Sequence, residues 1–316
     1  MNNVVTNNEK TQGSIVGTGM VLLGAFGFSA KAVLIKMAYV RSVDPITLLT
    51  LRMGFSIPFF LTIAIWTSLR NKKNPLRQRD WGSVVALGLA GYYLASYFDF
   101  LGLQYVSAGL ERLILFIYPT LVVLLSALFL RSRIGSKEII AIILSYSGIA
   151  LAVFNDVVFS QKNVMLGTWL IFISACSYAV YLVGSGRLIN RLGATKYTAY
   201  VMTISCFAVF FQFTATHDSS TLRLPLRIYE LGLAMAVFST VLPAFLISAG
   251  IRRIGASRSS IIGSIGPVMT ILLAHYFIGE SISILQITGT ALVLAGTLLV
   301  SGISLNELRN YYKKKD

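Results

Sequence analysis

The chain has 316 residues, 55% of them hydrophobic and 12% charged, with a formal net charge of +15 and a mean hydropathy of +0.74. A soluble domain carries about 25% charged residues, so water is not the main solvent of this chain. Cys176 and Cys206 both fall inside apolar runs, which points away from a disulfide framework and from a clustered metal site.

Residues 1–13 are polar and lack the basic, apolar and small-residue order of a cleaved signal peptide. They are read as a disordered cytoplasmic tail. Ten apolar runs follow, each near the ~20 residues that cross a bilayer core: Ser14–Met37, Pro45–Ser68, Trp81–Gln104, Ser107–Leu130, Glu138–Phe154, Met165–Ser185, Tyr197–Ala215, Tyr229–Gly250, Ser257–Ile278 and Ile282–Gly302. Asp44-Pro45 sets an N-cap beside a proline at the first helical position. Residues 303–316 form a basic cytoplasmic tail.

Loop charge orients the spans. With the N-terminus inside, the inner segments hold Lys10, Arg70, Lys72, Lys73, Arg77, Arg79, Arg131, Arg133, Lys137, Arg187, Arg191, Lys196, Arg252, Arg253, Arg258, Arg309, Lys313, Lys314 and Lys315. The outer segments hold only Arg41, Lys162, Arg223 and Arg227. This bias obeys the positive-inside rule, places both termini in the cytoplasm and spreads the basic residues over many loops. It leaves no single patch for nucleic acid. The expected location is the plasma membrane (the inner membrane in a bacterium), as a monomer or homodimer in the lipid bilayer.

A spacing of 148 residues relates the two halves. It aligns Gly102 with Gly250, Ala108 with Ala256, Pro119 with Pro267, Gly148 with Gly296, Ser29 with Ser177 and Thr47 with Thr195. Five spans per half, residues 14–154 and 165–302, make the second half enter from the opposite side. The expected fold is therefore all-α integral membrane, ten transmembrane helices as two inverted five-helix repeats, an architecture of secondary transporters with the solute near the midplane.

Several segments resemble the EamA-like branch of the drug/metabolite transporter superfamily. They are Gly24-Ala-Phe-Gly-Phe-Ser-Ala-Lys31, Gly102-Leu-Gln-Tyr-Val-Ser-Ala-Gly109 with Tyr118-Pro119, and Gly279-Glu280 followed by Gln286, Gly289 and Gly296. The resemblance covers about residues 14–302. It implies export or exchange of small metabolites, such as amino acids or related solutes, without ATP. The family's Gly-Glu pair begins the last hairpin of each half, whereas this chain has Arg131-Ser132 at the first such place.

Ionisable residues inside spans are costly and hence functional candidates. They are Lys31, Lys36, Arg52, Asp99, Glu111, Arg112 and His275. All lie in the outer half of the membrane, and all but His275 belong to the first half. One reading is a hydrated outer vestibule in which Lys31, Arg52, Asp99 and Arg112 meet a solute bearing a carboxylate or both charges. Asp99 is also a candidate for taking up a proton. The other reading is an internal salt-bridge network, such as Asp99 with Lys31 or Arg52. For Glu111 and Arg112, near the interface, the internal network is the leading reading, while Lys36 is assigned to snorkelling and His275 to a packed or interfacial role. Tyr97 and Tyr178 are candidates for hydrogen-bonding a solute, and Pro119 and Pro267 for a repeat-related pair of hinges.

No zinc-protease, P-loop, dinucleotide or Ser/His/Asp signature is present. The expectation is a non-enzymatic, cofactor-free exporter of small organic solutes working by alternating access. The alternatives are an antiporter of phosphorylated solutes, if Lys31, Arg52 and Arg112 converge, and a non-transporting membrane regulator.

Overall fold

The computed structural model describes residues 2–70, 76–130, 135–158 and 163–300. The tail 303–316, the loop bases Lys72, Lys73, Arg131, Arg133 and Lys162, and Ser132 lie outside them. Among the described residues the chain is wholly helical, without a strand. In order come α1 (Asn2–Tyr39), α2 (Pro45–Arg70), α3 (Gln78–Gly88), α4 (Ala95–Gly102), α5 (Ala108–Leu115), α6 (Tyr118–Leu130) and α7 (Ser136–Val158). Then follow α8 (Val164–Leu192), α9 (Ala194–Thr216), α10 (Leu226–Ala236), α11 (Leu242–Ile254), α12 (Ala256–Gly263), α13 (Gly266–Ile278) and α14 (Ile284–Val300). Single π-helical turns, Leu89–Leu94 and Val237–Val241, join α3 to α4 and α10 to α11.

The first helix is helical from Asn2, through the residues expected to be a disordered tail. Apolarity marks where lipid begins, and backbone hydrogen bonding extends beyond it. Among the described residues eight helical segments are long and apolar enough to cross a membrane, and Gly266–Ile278 and Ile284–Leu299 are shorter apolar helices. The ten spans expected are therefore not all matched by helix length among the described residues. A break at residues 264–265 shortens α13, and the described part of the last helix stops at Val300.

The 148-residue spacing reappears in the element bounds. It separates both ends of α3 from those of α10, of α5 from α12, and of α6 from α13, as well as the starts of the two π-helical turns. The helix breaks sit just ahead of Pro119 and Pro267, which have no N–H to give to the carbonyls of Leu115 and Gly263. The backbone tightens there instead, with Ile117 N–H donating to Ile114 O at 3.2 Å and Ile265 N–H to Ile262 O at 3.3 Å. Each proline thus sits at a local break in the helical hydrogen-bond ladder, flanked in the first half by Phe116 N–H to Arg112 O and Leu121 N–H to Ile117 O.

Small residues let helices touch at backbone distance, as in other membrane bundles. α7 crosses α14 where Gly148 faces Gly289: a Cβ on either would lie 2.5 Å from the other's carbonyl oxygen. α1 packs on α11 through Gly17, Gly24 and Gly250, and α4 on α8 through Gly102 and Gly167. Gly148→Ala is expected to destabilise the protein by about 1–3 kcal/mol, the usual effect of overpacking. A thermal-unfolding series in detergent, with the open-space substitution Gly82→Ala as control, checks this. Large apolar side chains such as Phe211, Trp169, Tyr276 and Ile284 stand on the outside, the inverse of a soluble surface.

Candidate functional site

Three helices of the first half bring Lys31 (α1), Asp99 (α4) and Glu111 (α5) together. Lys31 Nζ lies 2.6 Å from Asp99 Oδ2 and 3.0 Å from Glu111 Oε1. Glu111 is wholly buried and Asp99 nearly so. Lys31, Asp99 and Glu111 thus form a packed ion-paired cluster in this structure. Among the described residues Asp99 Oδ1 and Glu111 Oε2 are buried without a hydrogen-bond donor.

Among the described residues Arg52 takes no carboxylate. Its Nε–H donates to Thr240 Oγ1 at 2.9 Å, Nη1 reaches Ser96 Oγ at 3.5 Å, and the guanidinium lies 5.6 Å from the centre of the Phe100 ring. Thr240 sits in the second π-helical turn, and its hydroxyl donates to Met235 O at 3.0 Å. A π-helical turn displaces one residue from the helical register, and here that places a hydroxyl of the second half against a cation of the first. The residue 148 positions earlier, Tyr92, lies in the matching turn.

Arg112 follows Glu111 in sequence but takes a different environment. Its guanidinium lies 5.8 Å from the centre of the Phe116 ring. A Cβ on Gly266 would be 3.0 Å from Arg112 Nη2, so the missing side chain leaves the guanidinium its place. Phe116 closes α5 and Gly266 opens α13, so Arg112 stands where both repeat-related breaks meet. Arg112 Nε is buried without a hydrogen-bond partner among the described residues.

Tyrosines adjoin this point. Tyr178 packs edge-on against Tyr118 at 5.6 Å and Tyr92 at 6.4 Å, and stacks on Tyr181 at 5.7 Å. Tyr97 stands apart from that group, stacked on Tyr93 at 6.4 Å and tilted against Phe98 at 5.4 Å. The structure therefore sets Arg112, Tyr118 and Tyr178 at the two helix breaks, and Lys31, Asp99 and Glu111 in a separate cluster. A cavity of about 520 Å³ between α5, α7 and α8 is lined by apolar residues such as Ile149, Phe154, Trp169 and Phe172, and by none of these charged groups.

The N-terminal end of α5 is held from two sides. Ser107, the N-cap, accepts from Leu110 N–H at 3.1 Å, and its own N–H and hydroxyl donate to Asp156 at 2.8 and 3.0 Å. Glu280, in the turn between α13 and α14, accepts from Ala108 N–H at 2.9 Å. That turn needs Gly279, whose φ of 68° is left-handed. Burial pushes the Glu280 carboxyl up from the ordinary carboxylate range, opposed by the Ala108 amide and the charge of Lys36. Lys36 thus faces Glu280 and Asp156 electrostatically, and His275 Nδ1–H donates to Glu280 O at 2.8 Å. Glu280→Ala is expected to lower stability by about 1–2 kcal/mol, as for loss of a helix cap. Glu280→Gln, which keeps one acceptor oxygen, is expected to lose less; unfolding midpoints in detergent check the order.

Sequence reasoning did not single out Thr240 or Gly266. The 148-residue spacing is the signal that points to both, since Tyr92 and Tyr118 stand at the matching positions.

Outward-facing apolar helices around buried charge are the marks of a multi-pass membrane protein. The chain belongs to the EamA-like transporter family, whose model matches residues 15–154 and again 165–302. It is 29% identical to the uncharacterized transporter YcbK of Bacillus subtilis, over 97% of this chain and 98% of that protein. It is 27% identical to the uncharacterized transporter YyaM of the same organism, over 80% and 83%. An uncharacterized inner membrane transporter of Salmonella typhimurium, YicL, is 26% identical over 75% of this chain and 76% of its own length. A solved crystal structure shares the fold at a TM-score of 0.61 and 17% identity, covering 94% of this chain and 98% of that one.

Proposed function

We propose that the protein is a secondary, ATP-independent exporter of small organic solutes that carry a carboxylate, amino acids among them. It works by alternating access of two inverted five-span halves in the inner membrane, with both termini in the cytoplasm. The observation that carries this reading is Arg112, a guanidinium with an unpartnered buried Nε at the meeting point of two helix breaks 148 residues apart. Broken helices expose backbone groups at membrane depth, and half-helix N-termini there favour an anionic group. Arg112 would fork onto the solute carboxylate, with Tyr118 and Tyr178 flanking the rest of the molecule. Arg52, Tyr97 and the Lys31–Asp99 pair would shape the outer half of the path.

An antiporter of phosphorylated solutes gains less support. Lys31, Arg52 and Arg112 each take different partners, so they do not offer three cations to one phosphate. The test is uptake and efflux in proteoliposomes against a metabolite library that includes phosphorylated compounds. Movement of a carboxylate-bearing solute is the expected result. Movement of sugar phosphates alone would replace the reading, and a protein that moves nothing in either direction would sink it.

A further inference from the structure

We propose that the Lys31–Asp99–Glu111 cluster is a proton site: its two carboxyls hold one exchangeable proton, which the protein trades against solute. The coupling part rests on the transporter reading above; the proton-binding part stands without it.

The first argument is charge count. One ammonium serves two carboxyls, with side-chain exposures of 14% for Lys31, 3% for Asp99 and none for Glu111. The surrounding cations are engaged elsewhere. Arg52 on α2 acts on Asp99 from a distance but is bonded to Thr240. Arg112 influences Glu111 from the same helix while its guanidinium lies against Phe116. Lys36 on α1 faces Glu280 and Asp156. Tyr39 gives its hydroxyl to Phe100 O at 2.6 Å, and the Gln286 side chain of α14 lies against Gly109. One negative charge is left over, and an uncompensated buried charge is strongly unfavourable.

The second argument is the donor count. Among the described residues Asp99 Oδ1 and Glu111 Oε2 have no hydrogen-bond donor, and Glu111 Oε1 has only the shared Lys31 ammonium at 3.0 Å. Both carboxyls meet at Lys31 Nζ, 2.6 Å from Asp99 Oδ2 and 3.0 Å from Glu111 Oε1, which sets them side by side, and a hydrogen bond between them needs a donor. Two carboxylates cannot make that bond, whereas a carboxylic acid and a carboxylate can. One proton therefore supplies the missing charge and the missing donor together. A metal ion fits poorly, because the ammonium already fills the space between the carboxyls. Among the described residues no group of three acidic, His or Cys side chains offers a ligand set.

The third argument is mechanical. Glu111 and Arg112 occupy one short helix, α5, fixed at Ser107 by its cap and released at Phe116 by the break. Neighbouring residues on a helix point about 100° apart, so Glu111 enters the cluster while Arg112 enters the central site. Loading either ligand acts on the same two turns of helix, which is the physical basis for exchange of one against the other.

The decisive measurement is pH-difference infrared spectroscopy of the full chain in lipid nanodiscs, with protons and deuterons as the only probes. The wild-type protein is expected to show a carboxylic-acid C=O band that titrates, shifts in heavy water, and disappears in Glu111→Gln. Asp99→Asn is expected to displace or remove the same band, which guards against a folding failure of either variant alone. A wild-type spectrum without that band, or one that both variants retain unchanged, overturns the proton site. For coupling, proteoliposomes holding a pH-sensitive dye are given the solute found in the library screen. Proton movement opposite to solute is expected in the wild type, with solute exchange free of proton movement in Glu111→Gln. Equal proton movement in both overturns the coupling, and a chain that moves no solute leaves the infrared result to decide proton binding.

Discussion

Lys31→Met is expected to lower the stability of the protein by about 3–5 kcal/mol, the usual consequence of removing one partner from a buried ion pair. The size follows from what is left behind. Lys31 is the only basic residue within salt-bridge distance of Asp99 or Glu111 among the described residues, at 2.6 and 3.0 Å. Methionine fills a similar volume, so the loss reports charge and not a cavity. Glu111→Gln alone is expected to be close to neutral, because the amide can donate to Asp99 where a proton otherwise sits. The double variant Lys31→Met/Glu111→Gln is then expected to recover part of the loss. Equilibrium unfolding in mixed micelles of the wild type, both single variants and the double variant gives the coupling directly. A loss below about 1 kcal/mol for Lys31→Met would mean that the cluster is solvated in the protein and not packed.

The helices and their spacing were legible in the sequence because lipid imposes one rule on every span: apolar side chains over a fixed length. The same rule made Lys31, Arg52, Asp99 and Arg112 stand out, since each breaks it. Depth along a helix follows from counting residues. Direction around the bundle does not, because it depends on which helices become neighbours. That is why an outer vestibule and an internal salt-bridge network both stayed open for Lys31 and Asp99, and why the sequence did not say which carboxyls each cation meets. Thr240 and Gly266 were hidden for another reason. A hydroxyl is cheap to bury when it bonds its own helix, and a glycine has no side chain to be out of place. Their importance comes from the backbone, from a π-helical turn in one case and a helix break in the other. Hydropathy carries no trace of either. The 148-residue spacing does, once Tyr92 and Tyr118 are known to lie at the corresponding turn and break.

Arg112→Ala is expected to reduce transport of a carboxylate-bearing solute roughly a hundredfold in kcat/KM, since losing one partner of a buried, hydrogen-bonded charge pair costs about 2–5 kcal/mol. Its stability is expected to change little, in contrast to Lys31→Met. The guanidinium contacts the Phe116 ring and the open space over Gly266, and no carboxylate lies within salt-bridge distance of it among the described residues. Removing it therefore strands no opposite charge in the empty protein. Arg112→Lys keeps the charge but loses the planar fork and the stacking on Phe116, so it is expected to restore only a small part of the activity. Gly266→Ala gives a gentler version of the same test. Its new Cβ would lie 3.0 Å from Arg112 Nη2, tight enough to displace the guanidinium without removing it. The expected signature is a raised KM with kcat largely kept. Full activity in Arg112→Ala, beside a folded and correctly inserted protein, would move the solute site away from the helix breaks. A stability loss matching that of Lys31→Met would instead make Arg112 part of the buried charge cluster, and the single ammonium would no longer be its only cation.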